Sequence, residues 1–273
     1  MPPSDPGARL AAVVDDLAAE SAEAFRIVAS LDAWDWDAPT AADGWMVRDQ
    51  ISHLARFDDT ARLALSDPEA FRRVADGDAA RGPKFPDLIA RDLRHLAPDP
   101  LAWWFRRARE QLLDDFRRAD PIRKLPWYGP PMSPTTSVTA RLMETWAHVQ
   151  DIADGLGLKR RPTERLRHIA HLGIRTMAFS FAANGLPTPE KPVRVVLTGP
   201  AGDTWVWGPA DAADSVTGPA HDFCLLVTQR RHRDDTALKA AGDVARRWLS
   251  IAQAFAGPVG TGRPVMTGAA SPR

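Results

Sequence analysis

This chain of 273 residues has one cysteine, no net charge and no long apolar run, and each lack closes a class of function. Cys224 has no partner for an internal disulfide and no CxxC spacing for a thiol redox pair. Thiol chemistry, if it occurs, is expected to use a thiol that arrives as a small molecule. Lysine and arginine together number 35, as do aspartate and glutamate, so no overall field draws the chain to nucleic acid or to an anionic membrane. The mixed run RRHRDD is too short and too balanced to change that. No stretch of roughly eighteen apolar residues reads as a membrane span. The opening MPPSDPGARLAAVVDD has neither the basic region nor the apolar core of a secretion leader, which predicts a cytoplasmic protein.

The 44% hydrophobic content suffices for a real core, and the length suits two domains. Apolar residues at helical spacing (Leu10, Val13, Val14, Leu17, Phe25, Val28) predict a first amphipathic helix over 9–31. A second is predicted over 46–66, ending at Asp67-Pro68. Residues 76–84, DGDAARGPK, read as loop, and 86–96 and 101–119 as further helices. Trp103 and Trp104 are expected in the core. The proline-rich IRKLPWYGPPMSPTTS is expected to be irregular and to wall a pocket. Ser137 or Thr139 is the expected cap of a helix ending at Gly155 or Gly157, and one more helix is expected from Thr163 to Asn184. Beyond Pro192 the texture changes to VRVVLTG and TWVWGP, a predicted hairpin, with a short strand at 214–217 and two helices, HDFCLLVTQRR and GDVARRWLSIAQAFAG. The expectation is a helical domain over 1–185, a small α+β domain over 186–256 and a disordered tail over 257–273.

Within the helical part, His53 lies in VRDQISHLARFDDTARLAL, and Glu144 and His148 in TARLMETWAHVQDIADGLG. A carboxylate four residues before an imidazole puts both on one helical face, about 40° apart at 100° per residue. With a histidine from a second helix, three ligands for a divalent metal are available. Asp151 shares the stripe while Leu142, Trp146, Val149, Ala153 and Leu156 cluster opposite, so the stripe also reads as a wet helix face. His53 shares its face with Met46, Phe57 and Ala64; a hydrogen-bonded core histidine explains that position as well as a ligand does. Trp34, Trp36 and Trp45 read either as packing between the first two helices or as a pocket lining beside His53.

The order and wording of DWDAPTAADGWMVRDQISHLARFD, METWAHVQDIADGLG and the late Gly242-Asp243 pair resemble the mycothiol-dependent maleylpyruvate isomerase family, from about Leu10 to Ala256. The resemblance implies a mainly α fold: a DinB-like up-down four-helix bundle followed by a sterol-carrier-like α+β domain. It also places divalent-metal ligands on His53, Glu144 and His148. Two imidazoles and one carboxylate leave such an ion positively charged with an open position; zinc is the first choice, and nickel, iron or manganese accept the same donors. Asp151 becomes a candidate acceptor for an imidazole N–H. The cosubstrate implied by the resemblance is mycothiol, whose thiol the metal would hold as thiolate. In the isomerase the thiolate adds to a conjugated double bond, the resulting single bond rotates, and elimination gives the trans isomer; related members carry out S-transfer.

An anionic substrate would call for an arginine, whose planar fork matches a carboxylate. Arg81 and the Arg230-Arg231 pair are the candidates. The resemblance implies an arginine near the latter, where family members usually read Gly-Arg and this chain reads QRRH. The partners expected are a small electrophile and a low-molecular-weight thiol, with the protein a monomer or homodimer. Two alternatives stand beside this reading: a metal-dependent hydrolase using bound water, and a non-catalytic metal- or lipid-binding protein.

Overall fold

Proline opens most of the long helices in the computed structural model, which describes residues 5–255 and 257–266. Pyrrolidine rings sit within the first two positions of α1 (Pro6–Ala29), α3 (Pro68–Ala80), α4 (Phe85–Asp92), α5 (Pro98–Arg117) and α6 (Pro134–Leu156). There the missing N–H has no helical partner to lose. The last proline of the proline-rich stretch therefore starts α6 instead of preventing a helix. Its cap is Ser133, which accepts from the Thr136 amide at 3.2 Å, and not Ser137 or Thr139. α2 (Val47–Ser66) has no proline; the Met46 amide at its start donates to Asp49 at 2.8 Å. Helix α6 ends where Gly157 takes φ 67°, a left-handed conformation that glycine adopts at little cost.

α2 packs on α5 and α6, and α1 packs on the same two helices, so the four form a bundle. Ala24, Ile51, Leu54, Leu101, Phe105, Val149 and Ile152 meet in its core. Removing one such side chain, as in Leu54→Ala, costs about 2–5 kcal/mol. Two expectations are corrected here. The segment read as loop over 76–84 stays helical through Ala80, because Asp78 is buried against Arg56 and Tyr128. Trp103 is 67% exposed, whereas Trp104 turns inward and donates from its indole to Asp59 at 2.7 Å.

The chain divides between Arg160 and Arg161, earlier than the expected boundary after 185. The reason is that α7 (Leu166–Arg175) packs on α9 (Ala220–Val227), with Gly173 close against Val227. The helix expected to run unbroken to Asn184 splits at Thr176 into α7 and α8 (Met177–Ala183). Four strands follow, β1 (Val193–Thr198), β2 (Thr204–Trp207), β3 (Asp214–Pro219) and β4 (Lys239–Ala241), in the sheet order β2-β1-β3-β4. β1 and β2 form the expected hairpin, β1 and β3 run parallel, and β4 was not foreseen. α10 (Asp243–Ile251) begins where Gly242 takes φ 86° and Asp214 accepts from the Ala245 amide at 3.0 Å. Val195, Leu197, Val216, Phe223 and Trp248 make the core of this unit.

Residues 257–266, expected to be disordered, are irregular but held: the Gly260 amide donates to Gln253 at 3.0 Å and the Met266 amide to Asp235 at 2.8 Å. The remainder of the expected tail, 267–273, lies outside the described residues. No helix among the described residues is long and apolar enough to cross a membrane.

Candidate metal centre

Helices α2 and α6 bring His53, Glu144 and His148 to one point. Nε2 of His53 lies 3.3 Å and Nε2 of His148 3.1 Å from the same Glu144 oxygen, Oε2. The three donor atoms lie within 4.8 Å of one another, and among the described residues no other trio of histidine, cysteine or acidic side chains comes so close. Both histidines are buried, so the stripe on α6 is an inward face and not a wet one. Zinc–ligand bonds of about 2.0–2.1 Å in tetrahedral geometry would place ligand atoms about 3.3–3.4 Å apart. The spacing and the chemistry of the donor set therefore fit a small divalent cation.

Electrostatics favour the same use. Burial first, and the neighbouring His148 next, depress the His53 imidazole to about 4 against the opposing pull of Glu144, so His53 stays neutral near pH 7. Burial pushes the Glu144 carboxyl upward, but its contacts with His148 and His53 outweigh burial and hold it well below the usual carboxylate range. A neutral imidazole and an ionised carboxylate are the forms that ligate metal.

Aromatic rings surround the trio. Trp45 stacks on His148 with centroids 5.7 Å apart and meets His53 edge-on at 5.5 Å. The Phe57 ring lies 4.5 Å from that of His53. Behind it stand Phe85 and Tyr128, the latter from the proline-rich segment expected to wall a pocket. The three early tryptophans thus have three fates: Trp45 lines the site, Trp36 is buried in the bundle core, and Trp34 is 86% exposed.

Asp151 is fully buried but does not take the role expected of it. Nδ1 of His148 is bonded to Oε1 of Gln50, and Nε2 faces Glu144, so neither ring nitrogen is left for Asp151. Gln50 escaped the sequence reading, although its place one turn before His53 puts it on the same side of α2. Nδ1 of His53 is buried without a hydrogen-bond partner among the described residues.

Arg81 caps the C-terminus of α3 and pairs with Asp92 at 2.7 Å. Arg230 and Arg231 belong to the second unit, where Arg230 donates to the Thr228 carbonyl at 2.6 Å and Arg231 approaches the Met266 sulfur at 3.4 Å. Just before them, two residues past the end of α9, Gln229 takes φ 59°, the one non-glycine residue with positive φ among the described residues. Cys224 is buried, and burial pushes its thiol far above the ordinary range.

Fold and site together define a helical-bundle protein with a His–Glu–His donor cluster, joined to a small α+β unit. Residues 8–153 match the family described as mycothiol maleylpyruvate isomerase N-terminal domain, and the chain belongs to that family. Residues 189–240 match a second family, described as wyosine base formation. Two uncharacterized proteins, from two strains of Mycobacterium tuberculosis, are each 48% identical over 260 residues, covering 95% of this chain and 100% of theirs. A crystal structure of the mycothiol-dependent maleylpyruvate isomerase matches with a TM-score of 0.58 at 14% identity, over 85% of this chain and 92% of that one. A histidine-to-alanine variant of that isomerase matches with a TM-score of 0.57 over the same shares. At that identity the likeness speaks for the fold.

Proposed function

We propose that the protein is a thiol-dependent metalloenzyme: His53, Glu144 and His148 hold a divalent cation, and mycothiol is the thiol that reacts with a small electrophile, by cis–trans isomerisation or by S-transfer. The observation that carries this reading is the convergence of the three donor atoms within 4.8 Å from two separate helices. The family supports the thiol, and the lack of any reactive cysteine in the chain agrees with a thiol supplied from outside. Zinc is the first choice of cation, with nickel, iron and manganese matching the same donors.

A bound cation would keep at least one position open and stabilise a thiolate near neutral pH. The chain's own residues do the rest. His53 is kept unprotonated by burial, so its lone pair stays available. Trp45 and Phe57 cover the imidazoles with apolar surface, which excludes water from that side and favours sulfur over hydroxide as nucleophile. Arg230 is the arginine we assign to the Gly-Arg position. Gln229 before it takes the left-handed conformation usual for glycine, so Gln229-Arg230 fills the place of that pair. Arg81, already paired with Asp92, is left out.

Metal analysis of purified protein and turnover of a panel of activated alkenes, with and without mycothiol, test the reading. Stoichiometric divalent metal and thiol-dependent turnover are expected, and His148→Ala is expected to lose both while keeping its helicity. Full metal content and turnover in that variant would remove His148 from the site. Thiol-independent turnover of a parallel panel of esters and amides would make metal-bound water the nucleophile and the protein a hydrolase, and metal without turnover on either panel would make it a binding protein.

A further inference from the structure

The hydrogen bonds behind His148 form a chain whose direction can be read from its far end. The Trp45 carbonyl oxygen can only accept, and the Thr40 hydroxyl bonds to it at 2.9 Å, so the hydroxyl proton points to Trp45. Having spent its single proton, the Thr40 oxygen must accept from its other neighbours. These are the Ala42 amide at 3.3 Å and the Gln50 side chain at 2.8 Å. The Gln50 atom facing Thr40 is therefore its amide nitrogen. The opposite atom, the carbonyl oxygen, faces Nδ1 of His148, and it too can only accept. The proton on His148 nearest to Gln50 therefore sits on Nδ1. Gln50 is fully buried, which shields its own side chain from water, and Thr40 is half-buried.

We propose that Gln50, oriented by Thr40, is the positioning residue of the cluster: it holds the proton of His148 on Nδ1 and so turns Nε2 toward the point shared with His53 and Glu144. The inference rests on the metal reading for its purpose, though not for its geometry. At 3.1 Å from the Glu144 carboxylate, Nε2 needs a positive charge between the two, which a second proton supplies in the metal-free chain and a bound cation would supply in its place. His53 has no such tether, since its Nδ1 lacks a partner among the described residues. The two imidazoles thus differ: His148 is held at both ring nitrogens, while His53 is held at Nε2 by Glu144 and otherwise by the rings that pack on it. Side chains that orient a metal-bound histidine this way typically change metal affinity by about 10–100-fold when removed.

The test uses the full chain stripped of metal. Nitrogen-15 spectra of the histidine side chains should show a protected Nδ1–H on His148, lost in Gln50→Ala and retained in Gln50→Glu, whose carboxylate accepts from the same proton. Zinc uptake, measured by competition with a chelating dye, should weaken about 10–100-fold in Gln50→Ala and be restored in Gln50→Glu. It should weaken by a smaller factor in Thr40→Val, which keeps the shape but releases the amide. A wild-type His148 whose Nδ1 carries no proton would overturn the proposal. So would Gln50→Ala binding zinc within about twofold of the wild type, or Gln50→Glu binding no better than Gln50→Ala. If the wild-type chain takes up no divalent metal, the metal reading fails by itself, and the His148 spectrum still decides the role of Gln50.

Discussion

Asp58 and Arg109 share two hydrogen bonds, of 2.7 and 3.1 Å, with neither side chain reaching solvent. Arg141 adds a third bond to the same carboxylate at 3.0 Å, and Arg109 continues to Ser21 at 2.5 Å and Thr145 at 2.9 Å. One carboxylate thereby ties α2 to α5 and α6, and its arginine reaches α1. Asp58 lies on the helix that carries His53, and Arg141 on the helix that carries Glu144 and His148. Asp58→Ala leaves two buried guanidinium groups facing each other without their counter-ion, which is expected to cost at least about 3–5 kcal/mol. Urea denaturation followed by circular dichroism measures it. A loss below about 1 kcal/mol would mean that water reaches the arginines.

The single tyrosine gives a second expectation. Tyr128 donates to Asp78 at 2.6 Å among Phe57, Phe71 and Phe85. Burial first, and the bond to the Asp78 carboxylate second, raise its hydroxyl well above the ordinary value. In the unfolded chain the same group titrates near about 10. Above that pH the unfolded state gives up a proton that the folded state keeps. The associated stability is therefore full below about pH 10 and falls as pH rises. Ultraviolet titration should find no tyrosinate in the folded protein at about pH 11, and Asp78→Asn should bring the transition down. A tyrosinate step near 10 while circular dichroism still reports native helix would contradict the buried hydroxyl.

The thiol behaves in the same direction for a simpler reason. Cys224 is fully buried in α9, its sulfur 3.4 Å from the Leu166 carbonyl, and burial disfavours the thiolate. Thiol reagents at neutral pH are expected to leave it unmodified until the second unit unfolds. Cys224→Ala should leave any mycothiol-dependent turnover unchanged; a loss of turnover with intact folding would give the protein its own sulfur chemistry.

How far the site could be read from the sequence follows from how local each signal is. Glu144 and His148 lie one turn apart, and the length and periodicity of α2 and α6 made both helices plain. The pairing of His53 with them needed the family resemblance, because nothing in spacing says which faces of two distant helices meet. Gln50 was out of reach: its role depends on the Thr40 hydroxyl, whose direction depends on the Trp45 carbonyl in an irregular segment. The stretch DGDAARGPK misled for a related reason. Its local propensity is that of a loop, yet burial of Asp78 with Tyr128 and Arg56 carries the helix through Ala80. β4 was missed because Lys239–Ala241 has no β-branched or aromatic residue; it is a strand only through its pairing with Ser215–Thr217.

Two helical glycines separate backbone contact from helix propensity. In the interior of a helix, glycine is about 0.5–1 kcal/mol worse than alanine, so replacing it ordinarily stabilises. Gly77 in α3 is exposed and has open space where a Cβ would stand, and Gly77→Ala is expected to follow that rule. Gly155 in α6 is different, since a Cβ there would fall 2.7 Å from the Pro39 carbonyl oxygen and 3.0 Å from the Thr40 Cα. Both obstacles are backbone, which cannot rotate aside as a side chain does. Gly155→Ala should therefore destabilise by about 1–3 kcal/mol, reversing the sign seen at Gly77. Because the displaced residue is Thr40, the same variant should also loosen Gln50 and weaken metal uptake, in the direction of Thr40→Val. Urea denaturation of both alanine variants, with zinc competition on the second, checks the two effects. If Gly155→Ala gains stability as Gly77→Ala does, the close approach of α6 to Pro39 and Thr40 is not what keeps glycine there. If it loses stability but binds zinc as tightly as the wild type, Thr40 can move without disturbing Gln50.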